Sequence, residues 1–151
     1  MKEEFQAEIA KQMAGFKQAA NWMRAYEILC HMVDDLIDRD KNGMDYTLLT
    51  LDAFSLAADV YSAPFYQQNC TWLYPLCKSL HRVWSASIAW EHDATPWKAH
   101  YADVLRCCGS EMTMAVLEHV CHLPQSELRR IDAMMREAGW EIHHDKEGKP
   151  I

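Results

Sequence analysis

Acidic side chains cluster between residues 27 and 41, and carboxylates grouped in this way are typical ligands of a divalent metal ion. Asp34, Asp35 and Asp38 follow one another closely in the sequence. At about 100° per residue of an α-helix, Glu27 and His31 lie on the same face as these three. The rest of this helix is largely apolar. The sequence therefore predicts a helix with one acidic face that carries a single histidine.

Three features of this acidic face destabilise a helix locally. Like charges one turn apart cost about 0.2–0.5 kcal/mol per pair, and aspartate is a poor helix former. The carboxylates of Asp34, Asp35 and Asp38 also lie near the C-terminal end of the helix, where the helix dipole is negative. A bound cation would offset all three effects. Oxygen ligands without paired cysteines favour Mg²⁺ or Mn²⁺. We therefore expect a metal site at these aspartates, with Glu27 and His31 as further candidates. The alternative is a solvated acidic surface.

A metal site in a helical bundle draws ligands from more than one helix. Glu91 and Asp103 are the carboxylates on later predicted helices that best fit this role. A phosphate-bearing small molecule bound to the metal would also need cations. The candidates for that contact are Lys41, Arg82 and Arg106. The alternative for each charged residue is an ordinary position on the surface.

The order Val33-Asp34-Asp35-Leu36-Ile37-Asp38 resembles the first aspartate-rich motif of class I isoprenoid synthases. In that all-helical family, such carboxylates hold Mg²⁺ ions that bind an allylic diphosphate. The resemblance covers about six residues and implies a diphosphate-type metal site. A second aspartate-rich motif is not recognisable in the sequence, and the chain is far shorter than those enzymes. Prenyl transfer is therefore not expected.

A second resemblance is longer and looser. It rests on Asp34–Lys41, Pro64–Asn69 and single positions from Leu76 to Glu91, which together cover less than half of the chain. These segments are similar to a family of small phage-encoded helical proteins without an assigned function. The resemblance implies a phage or prophage origin and no particular chemistry.

The composition bounds the fold and the partners. The chain has 151 residues, of which 50% are hydrophobic and 25% charged, and its formal net charge is −7. This excludes a disordered chain and a general attraction to nucleic acid or anionic membranes. No apolar stretch approaches the length of a membrane span. The N-terminus lacks the pattern of a signal peptide, and isolated cysteines favour reduced thiols, so we expect a cytoplasmic protein.

Apolar periodicity predicts an all-α fold, a single-domain antiparallel bundle of about six helices over residues 1–140 with a polar tail at 141–151. The first helix carries Phe5, Ile9, Met13 and Phe16. The boundaries of the others follow from caps, prolines and glycines. The predicted segments are Asn21 to about Asp40, Asp45 to Ser62, Asn69 or Thr71 to about His92, Thr95 to about His122, and Ser126 to Gly139.

The sequence leaves the function open between two classes. One is a Mg²⁺-dependent or Mn²⁺-dependent enzyme that acts on a phosphate-bearing or diphosphate-bearing small molecule. The other is a protein without catalytic activity. It would either bind a basic host protein through its acidic face or form a structural homodimer through exposed aromatic residues such as Trp72, Trp90 and Trp97.

Overall fold

Helices form nearly all of the described structure, which contains no β-strand, and the predicted all-α fold is thereby confirmed. The structure is a computed structural model that describes residues 2–39, 41–91, 93, 95, 97–98 and 108–143. Side chains are described within these ranges except at 2, 108–109 and 138–143. Within these ranges the helices are α1 (Lys2–Met13), α2 (Lys17–Asp38), α3 (Tyr46–Ser62), α4 (Pro64–Glu91), α5 (Cys108–His119) and α6 (Gln125–His143).

Contacts divide the chain into two compact units. The terminal unit consists of Met1–Lys17 together with Thr113–Ile151, and the central unit consists of Gln18–Met112. In the terminal unit, α1 packs against α6. The guanidinium of Arg130 on α6 donates a hydrogen bond to the carboxylate of Glu8 on α1 at 2.8 Å. The next residue along α6, Ile131, is fully buried. Apolar packing and this ion pair therefore join α1 to α6.

The second helix begins earlier than predicted and ends close to the predicted position. It starts at Lys17, so Asn21 lies inside the helix and is not its N-cap. It stops at Asp38 because Arg39 adopts a left-handed conformation with φ of 50°. The backbone N–H of Arg39 donates to the carbonyl of Asp35 at 3.1 Å, which satisfies one of the last carbonyls of the helix.

The predicted start of α3 is confirmed by its geometry. The carboxylate of Asp45 accepts hydrogen bonds from the backbone N–H groups of Thr47 and Leu48, both at 3.0 Å. This is the contact that an N-cap aspartate makes. The predicted break at residues 62–64 is also present, since α3 ends at Ser62 and the next helix begins at Pro64.

The start predicted for α4 is wrong. The helix begins at Pro64, not at Asn69 or Thr71, and Pro75 lies inside it. Proline is favourable at the first position of a helix because its missing N–H would have no partner there. Inside the helix, the missing N–H of Pro75 leaves the carbonyl of Thr71 without its usual intrahelical donor. The predicted end near His92 agrees with the observed end at Glu91.

The last two helices fit the prediction in part. The segment around Pro96 and residues 99–107, which include the predicted start of the fifth helix, lies largely outside the described residues. The sixth helix begins at Gln125, but Gly139 does not end it, because α6 continues to His143. Residues 141–143 therefore belong to α6. Within the described ranges, none of the helices combines the length and the apolar character needed to cross a membrane.

Candidate functional site

The acidic ridge of α2, defined as Glu27, His31, Asp34, Asp35 and Asp38, follows the predicted face of the helix. Glu27 and His31 are exposed, and Nε2 of His31 lies 4.0 Å from Oε1 of Glu27. An exposed pair of this kind contributes little to stability. Asp34 and Asp35 are half-buried, and Asp38 is exposed. The opposite side of the helix is buried at Trp22, Tyr26 and Leu29, as predicted, and also at Ala19, which precedes the predicted start.

Lys41 neutralises one carboxylate of this ridge. Its Nζ lies 2.5 Å from Oδ1 and 2.6 Å from Oδ2 of Asp35. The backbone of Lys41 is held in place by Tyr46. The hydroxyl of Tyr46 accepts a hydrogen bond from the backbone N–H of Lys41 at 3.0 Å and donates one to the carbonyl of Lys41 at 3.3 Å. The guanidinium of Arg39 lies 5.9 Å from the centroid of the same Tyr46 ring. The side chains of Arg39 and Lys41 thus place two positive charges at the negative end of the α2 dipole, where they stabilise the helix.

The predicted metal ligands do not assemble within the described part of the chain. No group of three or more His, Cys, Asp or Glu side chains there is arranged to hold a metal ion. Glu91 is exposed at the last residue of α4, and Arg82 is exposed on the same helix. Asp103 and Arg106 lie outside the described residues. The metal site and the substrate contacts therefore stay predictions.

An aromatic cluster on the buried side of α2 joins this helix to α3 and α4. The indole N–H of Trp22 donates to the carbonyl of Val60 at 2.9 Å. The ring of Trp22 stacks on Tyr26 and Tyr66, with centroids 5.3 Å and 6.0 Å apart, and lies 5.4 Å from Phe65. Buried ring pairs and a satisfied indole N–H fix the inner side of α3 in place. The apolar character of this side of α2 is visible in the sequence, but the hydrogen bond of Trp22 is not, because Val60 is distant in the sequence.

Cys30 and Cys77 lie in this cluster, where both thiols hydrogen-bond with Tyr26. Burial raises the pKa of each thiol to about 11. Burial also lowers the pKa of His81, whose Nε2 lies 3.4 Å from the hydroxyl of Tyr26. At neutral pH these thiols are protonated and therefore poor nucleophiles. The four cysteines whose side chains are described, Cys30, Cys70, Cys77 and Cys121, are free thiols.

Helix α3 is apolar on two opposite sides. Its inner side is buried at Ala53 and Val60. On the other side, Leu48, Leu51 and Phe54 are 55%, 62% and 73% exposed. At about 100° per residue these three side chains form a continuous stripe, which we call the outer face of α3. The sequence does not separate the two sides, because apolar residues occur over most of the circumference of this helix.

Carboxylates line one edge of the outer face. Asp52 and Asp59 are exposed and seven residues apart, so they lie on nearly the same line along the helix. Residues 46–62 contain no lysine or arginine. Neither aspartate side chain makes an ion pair or a hydrogen bond with another residue of the described ranges. The outer face thus combines exposed apolar area with negative charge along one edge.

Comparison of the chain with models of known protein families, with curated proteins and with solved structures gave no match. The two resemblances noted in the sequence therefore stay predictions.

Proposed function

We propose that this chain is a non-enzymatic interaction protein that binds another protein through the outer face of α3. The observation that supports this is the exposure of Leu48, Leu51 and Phe54 within one arc of about 120° on a helix whose inner side is already packed. Single exposed apolar residues are common, but a contiguous stripe edged by charged residues is typical of an interaction surface. Complete burial of a leucine or phenylalanine side chain is worth about 1.5–3 kcal/mol.

The way in which α3 is held supports the same proposal. The N-cap at Asp45 fixes its first turn, and the hydrogen bond from Trp22 to Val60 fixes its last turn. The outer side chains are therefore presented on a rigid helix, which lowers the entropy that binding must overcome. Because they contribute little to the core, their replacement is expected to change binding more than folding.

A labelled amphipathic peptide tests this proposal. The probe has a leucine face flanked by glutamine, and its binding is followed by fluorescence anisotropy. We expect saturable binding that Phe54→Gln weakens by about tenfold, the equivalent of about 1.4 kcal/mol. The matched control is Tyr74→Gln, which replaces an aromatic residue with 57% exposure on α4. Absence of saturable binding, or equal loss in both variants, contradicts the proposal.

The second candidate function is metal binding at the acidic ridge, with Mg²⁺ or Mn²⁺ as the cofactor. What favours it is the position of the half-buried Asp34 and Asp35 at the negative end of α2, one turn from Asp38. The bound ion would neutralise the charge of a phosphate-bearing substrate. Arg82 and Arg106 stay candidates for contacts to that substrate.

Thermal unfolding with and without millimolar Mn²⁺ or Mg²⁺ tests the metal hypothesis. A ligand that binds only the folded state raises Tm. We expect the rise to disappear in Asp34→Asn/Asp38→Asn. It should persist in Glu3→Gln/Glu137→Gln, which changes the net charge by the same amount. If Tm does not respond to either metal, the hypothesis is wrong.

A further inference from the structure

We infer that the partner of α3 is an amphipathic helix whose apolar face is flanked by lysine or arginine. This inference rests on the proposed function and names the chemistry of the partner. The apolar side chains of the outer face recur every three residues, at Leu48, Leu51 and Phe54. This spacing presents a ridge inclined at about 45° to the helix axis, and a second helix can pack its own apolar side chains into the grooves beside such a ridge.

The charge along the edge of the outer face determines which helix fits. Asp52 and Asp59 are separated by seven residues, or about 10.5 Å along the axis at 1.5 Å per residue. A helix that packs alongside brings its flanking positions opposite this edge, and those positions also repeat every seven residues. Asp59 lies in the last turn of α3, where the helix dipole adds negative potential. Basic residues at heptad spacing complement this edge.

The same charges argue against a second copy of this chain as the partner. If two α3 helices packed antiparallel about a two-fold axis, each edge would lie opposite its own equivalent. Asp52 and Asp59 would then face the same carboxylates of the other copy, and like charges placed opposite one another disfavour an interface. The net charge of −7 also opposes self-association. A basic partner avoids both effects.

Three labelled peptides with the same leucine face test this inference. Their flanking positions carry lysine, glutamine or glutamate, and binding is measured by anisotropy at low and high salt. We expect the lysine peptide to bind about threefold to tenfold more tightly than the glutamine peptide, and the glutamate peptide to bind most weakly. The difference should shrink at high salt, because exposed charges are screened.

Variants separate the contribution of charge from that of the apolar stripe. Asp52→Asn/Asp59→Asn should remove the preference for lysine while it leaves the affinity for the glutamine peptide unchanged. Glu3→Gln/Glu137→Gln, with the same change in net charge, should keep the preference. Phe54→Gln should weaken binding of every peptide. Circular dichroism on each variant verifies that the fold is retained.

The outcomes distinguish this inference from the proposed function. Equal binding of the three peptides to the unmodified chain overturns the inference and leaves the proposed function standing. Failure of all three peptides to bind overturns both. If sedimentation shows a dimer that Phe54→Gln dissociates, the occupant is a second copy, and the inference of a basic partner is wrong.

Discussion

The acidic ridge of α2 and the outer face of α3 are both locally unfavourable, the first because it places like charges side by side and the second because it exposes apolar side chains to solvent. They differ in how far contacts within the chain offset these costs. On the ridge, Lys41 contacts both oxygens of Asp35, and Arg39 ends the helix beside it. On the outer face, the apolar side chains stay in solvent, and Asp52 and Asp59 form no ion pair with a described residue. A destabilising pattern therefore argues for an external partner most strongly where the chain does not itself supply a compensating contact.

The largest effect is expected when the inner side of α3 is disrupted. Trp22→Ala removes the ring contacts with Tyr26 and Phe65 and leaves the carbonyl of Val60 without the indole N–H. We expect a loss of about 3–5 kcal/mol in the free energy of unfolding, measured by urea denaturation. The matched control is Trp97→Ala, because Trp97 is 54% exposed. If both variants lose the same amount, Trp22 does not anchor α3.

Alkaline pH provides a second test of this inner cluster. Burial raises the pKa of the Cys30 and Cys77 thiols from 9.0 to about 11. Above pH 9 the unfolded chain releases protons that the folded chain retains, so stability falls as pH rises from about 9 to about 11. The expected loss is about 2 kcal/mol or more for the two thiols together. Urea denaturation across this range should show a smaller fall in Cys30→Ala/Cys77→Ala. An identical fall in the variant contradicts the assignment.

Two adjacent residues of α3 distinguish its inner side from its outer side. Ala53 is buried, so Ala53→Leu overpacks the core and is expected to cost about 1–3 kcal/mol. Phe54 points to solvent, so Phe54→Gln should change the free energy of unfolding by less than about 0.5 kcal/mol. Urea denaturation of the two single variants provides the comparison. A large loss in Phe54→Gln would show that the outer face is part of the core and not a binding surface.

Local signals account for the parts of this fold that could be predicted from sequence. Asp45 was identified as a cap because a carboxylate before an apolar helix satisfies free N–H groups, and that contact involves only residues two and three positions away. The start of α4 is ambiguous in the sequence, because Pro64 and Pro75 both fit the first turn of a helix. Local signals do not decide between these two starts, and the structure shows that the helix begins at Pro64.

Less of the site than of the helices could be predicted from the sequence, because the contacts of the site depend on tertiary structure. Helical periodicity correctly placed Glu27, His31 and the three aspartates on one face of α2. It did not reveal the role of Lys41, because the loop that brings this side chain back to Asp35 depends on the left-handed turn at Arg39 and the hydrogen bonds of Tyr46. The outer face of α3 is also not predictable, since periodicity cannot orient a helix that is apolar over most of its circumference.

The smallest effect is expected from Lys41→Met. This variant tests whether Lys41 alone compensates the negative charge of the acidic ridge. Removal of this cation from the end of α2 should lower the free energy of unfolding by about 0.3–1 kcal/mol. The loss should shrink at high salt, whereas Lys78→Met, on the exposed side of α4, should have no effect. Thermal unfolding with Mn²⁺ then separates the two interpretations of the ridge. If a metal binds there, release of Asp35 from Lys41 makes the variant respond to Mn²⁺ more strongly than the unmodified chain does. If neither protein responds, the metal hypothesis is wrong, and Lys41 is the cation that the acidic residues of α2 require.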